Sequence, residues 1–281
     1  MKFYIKEYSI ENSRVLKDIT VAHLSDLDYC SKIGRDLLYA IVREVAVAAP
    51  DMICFTGDII DDASLFENPK IKGIIHEWLK VLGNIAPVFI VRGNHDCLAR
   101  DGVKWKYYDS DHYFEEMNNI PGVKVLKEEN PIAHFVDNIN LAGFDVGKNT
   151  VAYYEEEHES RKGFELYTAP ILQKVSEQLN PEEVNLLLLH SPVHLYDDAH
   201  DEYTCLLSGH MHNGCVPDVI DKIMPGNRGI IPPIGKPFPK FARGTYNLSE
   251  NTTGIIASPL VLIPKYYDNQ LVRKLYKPGI T

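Results

Sequence analysis

Eight polar residues stand where short apolar runs break off, and all are of types that bind metal or move protons. They are Asp26 and Asp28, then Asp58, then Asn94 and His95, then His190, then His210 and His212. Carboxylate, carboxamide and imidazole together suit intermediate divalent ions such as Mn²⁺, Fe²⁺ or Zn²⁺, and the lack of thiolate disfavours a structural zinc site. Donors gathered from five strand ends imply a binuclear site. In such a site one carboxylate can bridge two cations about 3.5–4 Å apart, which hold a hydroxide and clamp a phosphoryl oxygen during in-line attack.

The elements that must position these groups follow from hydrophobic patterning. Lys2–Ile10 alternates as a strand does, and Ile19–Leu24 is an apolar run ending at Ser25-Asp26. A helix is expected over Ile33–Ala49, stopped by Pro50, and a buried strand over Met52–Phe55 running into Thr56-Gly57-Asp58. A second helix fits Ile71–Leu82, and Val88–Val91 runs into Arg92-Gly93-Asn94-His95-Asp96. Strand, polar loop, helix, repeated, predicts β-α-β units whose ligands bind where the carboxyl ends of the strands open into loops. Val123–Leu126, Ile132–Val136 and Ile139–Phe144 read as short strands, with Asp137-Asn138 at a turn. Past the acidic loop Glu155–Glu159 come a helix over Ile171–Leu179, a strand over Val184–Leu189 ending at His190, and a strand over Thr204–Ser208 ending at Gly209-His210-Met211-His212. Thr253–Ile263 and Gln270–Tyr276 have strand character that would complete a second sheet.

The 281 residues include 39 acidic and 29 basic side chains, a formal charge of −10. That balance excludes a broad nucleic-acid or anionic-membrane surface, since such partners are held largely by Lys and Arg. The local exception runs from Lys222 to Ser249, which has no acidic residue and carries Arg228, Lys236, Lys240 and Arg243. This stretch is expected either to fold over the cleft and attract anions or to be a structural wrap. Arg100–Tyr108, with Lys interleaved among aromatics, is a second candidate recognition loop. No apolar run approaches the ~18–20 residues that span a bilayer. Five cysteines, odd in number and without C-x-x-C spacing, suggest reduced thiols, and a cytoplasmic location is expected. With no repeat and no linker, residues 1–281 read as one domain.

The blocks Asp26-Leu27-Asp28, Gly57-Asp58, Gly93-Asn94-His95-Asp96, the lone His190 and Gly209-His210-Met211-His212 together resemble the calcineurin-like metallophosphoesterase superfamily. A specified four-residue string such as Gly-Asn-His-Asp arises about once in 10⁵ positions at average usage, so the ordered set is a specific signal. The resemblance implies an α/β four-layer sandwich of two mixed β-sheets flanked by helices. It also implies Asp26, Asp28, Asp58 and His212 around a first metal, and Asp58, Asn94, His190 and His210 around a second, with Asp58 bridging. His95 would stand beside the metals as proton donor to the leaving oxygen, and Asp61 would orient it. The implied activity is hydrolysis of a small phosphoester, a diester above all, by metal-bound hydroxide.

Two departures from the family's pattern bear on this. Asp28 stands where the first block usually has histidine; a carboxylate adds charge and hardness and should favour Mn or Fe, with Zn possible. Asp62 stands where the phosphoprotein phosphatase branch has a phosphate-binding arginine, which removes a bidentate clamp. The segment Phe238-Pro239-Lys240-Phe241-Ala242-Arg243-Gly244 looks most like the bacterial phosphodiesterase or phosphohydrolase branch. Two alternatives remain at this level: a pyrophosphatase of nucleotide-linked sugars or lipids, and a non-catalytic scaffold of the same fold.

Overall fold

The computed structural model describes residues 3–102, 104–145, 147, 161–192, 201–217, 220, 224, 227–231, 238–262, 267, 269 and 276–281, with the backbone alone at 161–167. In chain order the strands are β1 (Tyr4–Ile5), β2 (Val21–Leu24), β3 (Met52–Thr56), β4 (Val88–Val91), β5 (Leu98–Asp101), β6 (Lys104–Tyr107) and β7 (Val123–Val125). They continue with β8 (Ile132–Val136), β9 (Ile139–Phe144), β10 (Val184–Leu189), β11 (Cys205–Ser208), β12 (Gly244–Asn247), β13 (Thr253–Ile256) and β14 (Gly279–Ile280). The helices are α1 (Arg35–Ala48), α2 (Pro69–Gly83), the single turn α3 (Asn94–Cys97), α4 (Asp111–Met117) and α5 (Arg161–Ser176).

Two sheets stack face to face. One has the order β2-β3-β4-β7, all parallel; the other, β12-β13-β11-β10-β9-β8, is parallel at its centre and antiparallel at both edges. Because the central strands are covered on both faces they read as unbroken apolar runs, yet their side chains still sort by the period of two. Ile53 and Phe55 of β3 pack under α1 and α2, whereas Met52 and Cys54 point into the layer between the sheets. On β10, Val184, Leu186 and Leu188 enter that same layer, while Leu187 and Leu189 face Ile171, Leu172 and Val175 of α5. Helices, sheet, sheet and helix are therefore the four layers, and the α/β sandwich implied by the resemblance is the architecture found.

Local chemistry sets the boundaries. Helix α1 ends at Ala49, whose backbone turns left-handed ahead of Pro50. Asn68 caps α2 by accepting from the amides of Lys70 and Ile71, with Pro69 at the first helical position, so the helix starts two residues earlier than its apolar stripe suggests. Helix α5 begins ten residues before the expected Ile171 and ends at Ser176. Among the described residues of the expected strand Lys2–Ile10, strand pairing covers Tyr4–Ile5, which β14 joins in parallel; Thr281 then exchanges backbone bonds with His23 and ties this pair to β2. The hairpin β5–β6 and the seven-residue α4 were not anticipated, and β12 forms inside the acid-free stretch Lys222–Ser249. The expected strand at Gln270–Tyr276 and the acidic loop Glu155–Glu159 lie outside the described residues, apart from Tyr276.

Candidate metal centre

All eight polar residues come from loops at the carboxyl ends of β2, β3, β4, β10 and β11. Backbone bonds lace these loops together: the Asp26 amide donates to the Gly57 carbonyl at 3.1 Å and the Asp28 amide to the Asp58 carbonyl at 2.8 Å. Leu260 and Val261 close the far side by donating to the carbonyls of Ser25 and Asp26. Asp26, Asp28, Asp58, His210 and His212 all have left-handed backbone, with φ between 45° and 65°. For residues with a Cβ that conformation costs about 1–2 kcal/mol each, and such strain collects where a side chain must be aimed. The loops also touch. A Cβ on Gly93 would lie 2.1 Å from Asp58 Oδ1, so only glycine lets the β3 and β4 loops come this close.

On one side of the cluster the donors engage one another. His190 Nδ1 donates to the Thr56 carbonyl at 2.7 Å, which turns Nε2 toward Asn94 Oδ1 (2.9 Å), His210 Nδ1 (3.1 Å) and Asp58 Oδ2 (3.2 Å). Burial opposes charge on His190, but the Asp58 carboxylate overrides it and raises the imidazole's pKa. Burial likewise works against the Asp58 carboxylate, and His190, His95 and His210 pull it well below the usual range. His210 is pushed down, by burial and then by His190 beside it.

On the other side several donor atoms are buried without a hydrogen-bond partner among the described residues. Asp28 is 1% exposed and, among the described residues, neither of its carboxylate oxygens has a hydrogen-bond partner; His212 Nδ1 is likewise buried without one. Burial, then Asp58 and Asp26, raises the Asp28 pKa well above the carboxylate range, and burial raises that of Asp26. Asp26 is fixed by the His210 amide at 3.0 and 3.1 Å, while His212 Nε2 is 3.7 Å from Asp26 and 3.8 Å from Asp28. A buried carboxylate with no donor is unfavourable unless a cation meets it. Three donor sets, Asp58/His190/His210, Asp26/Asp58/His212 and Asp28/Asp58/His95, each hold their atoms within 4.8 Å, and all three contain Asp58. Hard oxygen and imidazole donors around orphaned carboxylate atoms fit divalent metal ions.

His95 is fixed differently from the expectation. Its amide donates to Asp58 Oδ1 at 2.8 Å, and its Nδ1 bonds the main-chain carbonyl of Asp61 at 2.8 Å. The Asp61 carboxylate turns instead to Arg100 at 3.1 Å, because the guanidinium is the stronger partner for it. The group bonded to His95 Nδ1 is thus the Asp61 carbonyl and not the carboxylate expected to orient it. Asp62 caps the 3-10 turn Ala63–Glu67 through the Ser64 amide.

Sequence reasoning missed Asp96. This carboxylate accepts from the amides of Asp58, Gly93, Ile59 and Ile60 at 2.8–3.3 Å and so holds the loop that presents Asp58. Its signal was present in the Gly-Asn-His-Asp string, but nothing local reveals partners 36–38 residues away. Arg92, just before this string, is buried against Asp145 in a three-bond contact and also pairs with Asp111. In the acid-free stretch, Ile230 and Ile231 donate to the Gly214 carbonyl beside the His212 block. Arg243 is 5% exposed and bonds the Arg228 carbonyl, a wrap role; Lys222 and Lys236 lie outside the described residues. Among the described residues no helix is long and apolar enough to cross a membrane.

A family model described as calcineurin-like phosphoesterase matches residues 19–214. The chain is 26% identical over 216 residues to a protein named uncharacterized metallophosphoesterase from Campylobacter jejuni, covering 75% of this chain and 48% of that one. Another of that name from Helicobacter pylori is 27% identical over 218 residues, covering 75% and 49%. The chain spans about half the length of these curated relatives. Among solved structures, a dimetal phosphatase from Danio rerio has a TM-score of 0.52 at 14% identity, over 88% of this chain and 90% of that one, a likeness of fold.

Proposed function

The chain belongs to the calcineurin-like phosphoesterase family, and on that premise we propose that it is a metal-dependent hydrolase of small phosphoric esters that prefers diesters. The observation that carries this reading is the sharing of Asp58 by three convergent donor sets. Asp26, Asp28, Asp58 and His212 would hold one divalent ion, and Asp58, Asn94, His190 and His210 the other. When bound, such a pair supplies Lewis-acid charge at the phosphoryl oxygens and activates a water. Asp28 makes the first set rich in carboxylate, which favours Mn²⁺ or Fe²⁺.

The chain's own groups do the rest. His190, locked by the Thr56 carbonyl, presents Nε2 inward, and Asn94 is kept beside it. His95 has Nδ1 committed to the Asp61 carbonyl, so Nε2 is the nitrogen left to give a proton to the leaving oxygen. Asp96 holds the loop rigid while charge develops. Four buried free thiols, and a fifth half-buried, fit a reducing compartment such as the cytoplasm.

The test is chelation followed by reconstitution with Mn²⁺, Fe²⁺ or Zn²⁺, with metal content and hydrolysis of bis-p-nitrophenyl phosphate and p-nitrophenyl phosphate measured together. Two equivalents of metal and faster cleavage of the diester are expected. Cleavage of the monoester alone would overturn the diester preference, and no metal-dependent turnover would overturn the enzyme.

A further inference from the structure

The hairpin β5–β6 follows His95 directly and rises beside it. Its Trp105 meets the His95 ring edge-on, centroids 4.9 Å apart at 83°, and the Arg100 guanidinium lies over Trp105 at 4.8 Å. Arg100 is also held by Asp61, whose carbonyl orients His95, and its amide donates to Asp62 Oδ2 at 2.9 Å. His95, Trp105, Arg100 and Asp61 thus form a closed ring of contacts. Within it the Arg100 side chain remains 51% exposed and, among the described residues, shows a single bond from one guanidinium nitrogen, to Asp61. Exposed Lys104 lies on the same hairpin, whereas Lys106 is paired with Asp101. Arg100 occupies a face of the indole that a nucleobase could otherwise have used, so this wall offers charge rather than a stacking platform.

Resting on the function proposed above, we propose that this hairpin is the leaving-group wall of the cleft and that Arg100 selects phosphoesters whose leaving group carries its own negative charge, as in a pyrophosphate linkage. In the step, water oxygen joins phosphorus as the P–O bond to the leaving group breaks, and the departing oxygen takes its proton from His95. The departing oxygen takes its proton at His95, and Arg100 is a cation that the fold holds beside His95 through Trp105 and Asp61. Its fixing by Asp61 and Trp105 spares part of the ordering cost of a long side chain.

The experiment compares bis-p-carboxyphenyl phosphate with bis-p-nitrophenyl phosphate and reads the ratio of their kcat/KM values. That ratio should fall about tenfold in Arg100→Gln, the worth of one charge-assisted hydrogen bond, and recover in Arg100→Lys. In the wild type it should also shrink as salt is raised, a readout that needs no variant. An unchanged ratio in Arg100→Gln, or one insensitive to salt, overturns the hairpin proposal while leaving the phosphoesterase reading intact. Absence of turnover of both diesters by the metal-loaded wild type overturns both.

Discussion

The two halves of the metal centre share Asp58 and differ in almost everything else. Around His190 the donors are already bonded, to the Thr56 carbonyl, to Asn94 and to His210, so this half is shaped before any cation arrives. Around Asp28 the oxygens have no partner among the described residues, and the carboxylates are held together by backbone bonds against their mutual repulsion. One half is preorganised by its own hydrogen bonds. The other stores electrostatic tension that a dication relieves, so affinity there is obtained at the expense of the metal-free fold.

The largest effect should come from the residue common to both halves. Asp58→Asn is expected to lower the content of both metals and to cut turnover on the order of 10³-fold; two equivalents of metal by elemental analysis, with full activity, would sink the shared-carboxylate model. His190→Ala should destabilise the metal-free protein by about 1–3 kcal/mol in urea titrations, since it leaves the Thr56 carbonyl and Asn94 without their partner. Asp28→Asn should act with the opposite sign, making the metal-free protein more stable by about 1–3 kcal/mol while shrinking the rise in Tm that Mn²⁺ produces. The sign with pH follows from the raised pKa: the folded state holds the Asp28 proton more tightly than the unfolded state. The contribution of Asp28 to stability without metal therefore falls as pH rises above about 4, and the gain from Asp28→Asn should be absent below that and grow above it. A gain that is flat with pH would mean the carboxylate is not the source. Smallest of all, Asp61→Asn should change kcat on bis-p-nitrophenyl phosphate by less than about threefold, because the group touching His95 is a carbonyl that the substitution keeps.

The five strand ends were legible because strands buried on both faces announce themselves as apolar runs, and the first polar residue after each run marks the carboxyl end of the sheet. The helix α1 was legible for a similar reason, its stripe from Leu37 to Val45 being buried as the pattern demands. The β5–β6 hairpin was not, since Lys104, Lys106 and Tyr107 are exposed and a ribbon that packs against little carries no alternation. Nor could sequence show that Asp61 meets His95 through its main chain. That depends on Arg100 drawing the carboxylate away, a contact spanning 39 residues. Asp28 was readable as a departure from the family's pattern, but its lack of a hydrogen-bond donor among the described residues could only be seen once the loops were in place.

The bond from the His210 amide to Asp26 joins residues 184 positions apart, and that from His190 to Thr56 joins residues 134 apart. Contacts so distant in the chain carry a large loop-closure cost and are expected to form late in folding. On that expectation a cation meets a nearly finished protein and does not template its nucleus. Saturating Mn²⁺ should then slow unfolding and leave the refolding rate almost untouched, so that the metal acts as a latch on the native state and not as a guide to it.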